Sequence, residues 1–258
     1  MRTFLAMLLL LAPVVSPVSA QQARYGAARG YDDWQAVLDG YLVEDAVDYE
    51  RLKGEDPAEF RRFLEWLSAA HPERWTVAEQ RAFWINAYNA RVIAGVLAHW
   101  PIDSVKDVGL IGGRIHGFFG RREHPVAGRA RTLDEIEKEI LLQPPLLDAR
   151  IHFALNCASL GCPRLRPEPY RAEKLDMQLD FQARTFLNGP TGHRLDRERR
   201  VLYLSRIFEW YREDFERDAG SLREYAARYL TGTAAEAARN PAWSIQFLDY
   251  DWGLNLPR

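Results

Sequence analysis

The 258-residue chain has only two cysteines, Cys157 and Cys162. A structural zinc site needs four ligands, and the C-x4-C spacing with His152 upstream supplies three in a pattern unlike the usual C-x2-C knuckle, so no metal is expected. Neither sign of charge dominates: 34 Lys and Arg stand against 36 Asp and Glu. No basic stripe alternates with aromatics, which argues against a nucleic-acid partner. Repeats and low-complexity segments are absent, as are signatures for a nucleotide or flavin, so no cofactor is expected. A long hydrophobic run is missing as well. The longest, Phe4 to Leu11, is too short for a retained bilayer span and is followed by Pro13 and Pro17.

That short run sits instead in a leader. Arg2 precedes it and Val18-Ser19-Ala20 follows with the small residues a signal peptidase needs, so residues 1–20 read as a cleaved secretory signal. No cysteine follows that accepts a lipid. The mature chain, residues 21–258, is expected to be a single globular domain, periplasmic or secreted, with no transmembrane segment.

Helical periodicity runs through Trp34, Val37, Leu38 and Tyr41, and again through Phe60, Phe63, Leu64 and Leu67. Thr76 with Glu79 forms a capping box for a third helix, which Pro101 stops; Thr132 with Glu135 forms another before "TLDEIEKEILL". Glycines between Val105 and Arg131 predict a twisted hairpin or mobile loop. "IHFAL", residues 151–155, is a short apolar run expected to be a buried strand. A further helix runs from about Arg171 to Asn188, "HRLDRERRVLYLS" predicts two strands across a polar turn, and Ser221 with Glu224 and Thr233 with Glu236 predict two short capped helices. "WSIQF" adds a strand. Helices and strands without strict alternation point to an α+β fold, helices packed on a small, mainly antiparallel sheet.

Chemistry concentrates in "RIHFALNCASLGCP", residues 150–163. Cys157 and Cys162 suit a disulfide in an oxidising compartment. Equally, Cys157 at the end of a buried segment suits a nucleophile whose thiol is activated by nearby backbone N–H groups and a base. His152 is the nearest base in sequence, although an extended strand would hold it about 16 Å from Cys157. Glu137 is a candidate to orient that histidine, or a solvated helix position. In "FWINAYNA", Asn86 and Asn89 share a helical face beside Tyr88, either holding neighbouring backbone or offering an amide to an oxyanion.

The ordered motifs "FWINAYNA", "TLDEIEKEILL", "RIHFALNCASLGCPRLRPEPY" and "YLSRIFEWYREDF" resemble domain-of-unknown-function family number 547, over roughly Trp34 to Trp252. The resemblance implies a shared pattern of Asn86, Tyr88, Asn89, Glu137, His152 and Cys157. It implies a fold similar to papain-like and transglutaminase-like thiol enzymes in rearranged order, but no established reaction. The family pattern replaces the second cysteine in plant members, and this chain has Lys138 where many members have histidine. Two functions are therefore carried forward. In one, a cysteine-dependent hydrolase or acyltransferase acts on an amide or thioester: Cys157 attacks, His152 carries the proton, Glu137 orients the imidazole and Asn86 assists the oxyanion. In the other, a noncatalytic periplasmic binding or assembly module keeps Asn89, Tyr88 and their neighbours as a polar network, with Cys157 paired to Cys162 or packed as a small apolar group. The partner is a peptide, a small molecule or a protein.

Overall fold

The computed structural model describes residues 30–109 and 117–257. The expected leader, residues 1–20, lies outside the described residues. Helix α1 (residues 30–41) runs into a two-stranded hairpin, β1 (Leu42–Val43) and β2 (Ala46–Val47), and then into α2 (Tyr49–Glu55) and α3 (Ala58–Ala69). The spacing of apolar residues in α1 and α3 has the expected consequence. Trp34 stacks on Phe63 with ring centroids 5.1 Å apart, and Leu67 is fully buried beside them.

The long central helix α4 (Val77–His99) starts where the sequence said it would. Thr76 accepts from the Glu79 N–H while the Glu79 carboxylate accepts from the Thr76 N–H, satisfying donors that a helix start otherwise leaves unpaired. From Ala82 to Ile93 every residue is buried, so α4 is surrounded by the rest of the core rather than amphipathic. The glycine-rich region holds the expected hairpin, β3 (His124–Val126) against β4 (Arg129–Arg131). The second capping box also forms, with Thr132 and Glu135 exchanging backbone N–H bonds, but it opens a wide π-helical segment (Glu135–Leu141) rather than an α-helix.

One element differs in kind. "IHFAL" is a tight 3-10 helix (Ala149–Phe153), not a strand. Asp148 accepts the Arg150 N–H and so bends the chain at its start, and Ala154 N–H then bonds to the Ile151 carbonyl. A short apolar run carries no period that separates strand from buried helix, and the local aspartate decides it.

Helix α5 (Leu175–Leu187) leads to β5 (His193–Asp196) and β6 (Val201–Leu204), followed by α6 (Ile207–Trp210), α7 (Arg212–Ala219), α8 (Leu222–Tyr229), α9 (Gly232–Arg239) and β7 (Ser244–Phe247). The sheet order is β5-β6-β7, antiparallel for the first pair and parallel for the second. Ser221 caps α8 as expected. Helix α9 begins at Gly232, placing Thr233 inside it rather than at its cap. The fold is α+β. Two apolar clusters form its interior: one surrounds α4, and the other gathers Phe153, Phe208, Phe215 and Tyr225. Among the described residues, no helix is long and apolar enough to cross a membrane.

Candidate functional site

The two clusters meet at a cleft of about 410 Å³, reached by residues from the π-helical segment, the 150–163 stretch, α6 and the C-terminal tail. Tyr88 and Leu155 line it from the α4 side, and Ile207, Trp210 and Tyr211 from the other. Trp210, Tyr250 and Trp252 also line it. The three rings touch in a triangle, with centroids 4.8 Å (Trp210–Tyr250), 4.7 Å (Tyr250–Trp252) and 5.8 Å (Trp210–Trp252) apart.

Asparagines fasten the chain around the two cysteines. Asn89, 2% exposed, donates to the Ala154 carbonyl at 3.0 Å and accepts the Asn156 N–H at 2.8 Å. Asn156 in turn donates to the Pro163 carbonyl and accepts the Ala158 N–H. The chain on either side of Cys157 is thereby fastened without any help from sulfur. Asn86 does not reach the cleft. Its amide donates to the Ala82 and Tyr170 carbonyls and accepts the Tyr170 N–H, so its hydrogens are spent on backbone and none is left for an oxyanion.

Cys157 and Cys162, both lining the cleft, are joined as a disulfide with α-carbons 6.1 Å apart. Ala158 between them takes a left-handed conformation, φ 64°, which turns the loop back. Cys157 is half-buried and Cys162 is buried. The Tyr250 hydroxyl lies 3.0 Å from Cys157 Sγ and 3.2 Å from Cys162 Sγ, and the Ser159 hydroxyl is 3.0 Å from Cys157 Sγ. The Cys157 N–H donates to Cys162 Sγ at 2.8 Å. Burial pushes the Tyr250 hydroxyl up to about 12, so it remains a donor at neutral pH.

His152 lines the same cleft, but among the described residues no hydrogen bond joins it to Cys157. Its Nε2 is 2.9 Å from Asp214 Oδ2, and its ring stacks on Tyr211 at 3.9 Å. Asp214, not Glu137, is the carboxylate that orients this histidine. The hydrogen bond to His152 holds the Asp214 carboxyl below its usual range. Glu137 is buried and is held instead by two phenols: Tyr211 donates a short bond to Oε1, and Tyr88 donates to Oε2 at 3.3 Å. Burial first, and the Glu137 charge second, push both tyrosines well up, so both stay protonated donors. Lys138 beside it is paired with Asp134 at 2.6 Å.

Sequence reasoning missed Asp214, Tyr211 and Ser159. Tyr211 and Asp214 carry a usable signal, because three residues apart at a helix start they fall on one face. Among the described residues no three His, Cys, Asp or Glu side chains gather to hold a metal ion.

No curated protein and no solved structure matches the chain. The match that exists spans α4, the hairpin, the π-helical segment, the cysteine loop and α5, the parts that carry Asn86, Tyr88, Asn89, Glu137, His152 and Cys157. Residues 72–187 match the family described as "Protein of unknown function, DUF547".

Proposed function

We propose that the chain is an exported binding module, rather than a thiol hydrolase, and that its cleft takes a ligand bearing an aromatic or other flat apolar face and an ammonium or amine donor. The observation that carries this reading is Glu137. Each of its oxygens accepts from one tyrosine hydroxyl, which leaves carboxylate capacity unspent at the wall of an open, aromatic-rimmed cleft. An unpaired charge held there costs free energy that a cationic donor offsets.

The rim has matching chemistry. Lys106 Nζ already lies 4.3 Å from the Trp252 ring centroid, so this aromatic group accepts a cation from within the chain. Asp134 neutralises Lys138, leaving Glu137 as the unbalanced charge of the cleft. The hydrolase reading loses ground because its nucleophile is in a disulfide and its intended base faces Asp214.

Tryptophan fluorescence tests the reading, since Trp210 and Trp252 border the cleft. Titration with benzylamine, benzyl alcohol and benzoate, which share a ring and differ in charge, should give affinities in that order, benzylamine at least about tenfold tighter than benzoate. Equal affinities for all three, or benzoate the tightest, would remove the carboxylate from the account.

A further inference from the structure

We infer that the Cys157–Cys162 disulfide is a reactive one, which exchanges with thiols entering the cleft and so oxidises a dithiol substrate. The step uses the same open cleft as the binding reading but not its ligand.

Three observations carry it. First, the disulfide is redundant as a clip. Closing a loop with a sequence separation of 5 contributes only about 2 kcal/mol on the chain-entropy scale. The same loop is already fixed by the Asn89 and Asn156 amides and by backbone bonds from Leu160 N–H to Gly253, Gly161 N–H to Asp251 and Asn255 N–H to Ala158. Second, the two sulfur residues differ in access: Cys157 is half-buried at the cleft and Cys162 is 4% exposed. An incoming thiolate therefore meets Cys157. Third, both sulfurs that leave as thiolates have donors at hand. Cys162 Sγ, which leaves first, receives the Cys157 N–H at 2.8 Å and the Tyr250 hydroxyl at 3.2 Å, and Cys157 Sγ, expelled second, has the Tyr250 and Ser159 hydroxyls each at 3.0 Å; donors on a thiolate stabilise it and speed its departure.

The chemistry balances as follows. A substrate thiolate attacks Cys157 Sγ, the bond between the two cysteine sulfurs breaks, and its electron pair leaves on Cys162 Sγ. This gives a mixed disulfide between substrate and Cys157. A second substrate thiolate attacks the substrate sulfur of that bond, forming the substrate disulfide and expelling the Cys157 thiolate. The two thiol protons of the substrate end on Cys157 and Cys162. Two electrons have moved from substrate to protein, and a small disulfide such as oxidised glutathione restores the starting state by the reverse exchange.

The test uses the oxidised mature chain with reduced glutathione at pH 7.5. Samples are quenched with N-ethylmaleimide, and mass spectrometry locates glutathione and maleimide. The expected result is reduction without denaturant, at least about tenfold faster than for an oxidised peptide of the same Asn156–Pro163 sequence, with glutathione on Cys157 and maleimide on Cys162. Tyr250→Phe should slow the reaction several-fold without lowering the melting temperature of the oxidised protein by more than a few degrees. Reduced wild-type protein should stay folded, as read by its circular dichroism. A disulfide that resists glutathione until the protein is unfolded, glutathione found on Cys162, or loss of fold on reduction would each overturn the inference. Benzylamine binding by the same oxidised sample reports separately on the cleft, so failure of exchange with binding intact removes this inference alone.

Discussion

Replacing Asn89 by alanine removes an amide that does two jobs at once, and the cost follows from the groups left behind. The side chain is 2% exposed and bonds to the Ala154 carbonyl and the Asn156 N–H, both in buried residues, at 3.0 and 2.8 Å. Neither backbone group has water at hand when the amide is gone. An orphaned buried donor or acceptor costs about 1–3 kcal/mol, so two of them together with a small void predict a loss of about 3–4 kcal/mol. For a chain of this size that corresponds to a melting temperature lower by about 6–16 °C. Asn89→Asp should do no better, because a carboxylate oxygen then faces the Ala154 carbonyl in place of a donor. The assay is thermal and urea unfolding followed by circular dichroism, with hydrogen exchange at the Asn156 amide as the local readout. The loss should exceed that of the paired Cys157→Ser and Cys162→Ser replacement, about 2 kcal/mol. An Asn89→Ala protein that melts within about 2 °C of wild type, with the Asn156 amide still protected, would refute the claim that this side chain holds the cysteine loop.

Two other groups give pH-dependent outcomes. Burial pushes His124 down from 6.5 to about 4, with Glu123 opposing the shift and Arg91, Arg121 and His99 adding to it, so the folded protein keeps this ring neutral. The unfolded chain binds the proton first as pH falls, and stability is therefore full above about 6.5 and lost progressively towards 4, by up to about 3 kcal/mol. Urea unfolding at several pH values should show a shallower decline for His124→Gln than for wild type; parallel curves would contradict the assignment. Asp214→Asn removes the carboxylate that His152 holds below its usual range. A depressed carboxyl pKa contributes stability above the unfolded value and loses it as pH falls through the folded one. The variant should thus be less stable by about 2 kcal/mol at pH 7, with the deficit narrowing in acid; a deficit that stays constant down to pH 3 would exclude the pairing as its cause.

What the sequence made legible was local. The boxes at Thr76–Glu79 and Thr132–Glu135 are read from four residues each, and both form because their partners are neighbours in the chain. The glycine-rich hairpin and the pair β5–β6 are legible for the same reason. "IHFAL" misled because an apolar run of five residues fits a strand and a buried 3-10 turn alike, and Asp148, just ahead of it, made the difference. The site's connections are distant: 62 residues separate His152 from Asp214, 74 separate Glu137 from Tyr211, and 93 separate Cys157 from Tyr250. No period or motif links such pairs. The chain names Glu137 and His152 as candidates of the right type, and packing then assigns each a different partner from the one that proximity suggests.

The binding account rests on one carboxylate, and Glu137→Gln tests it most directly, since it keeps the side chain's size and an acceptor for one tyrosine while deleting the charge. Calorimetric titration of wild type and variant with benzylamine and with benzyl alcohol separates charge from cleft shape. The account predicts that benzylamine affinity falls by about tenfold, roughly 1.4 kcal/mol, while benzyl alcohol affinity is unchanged. Unchanged benzylamine binding, or an equal loss for both compounds, would contradict it.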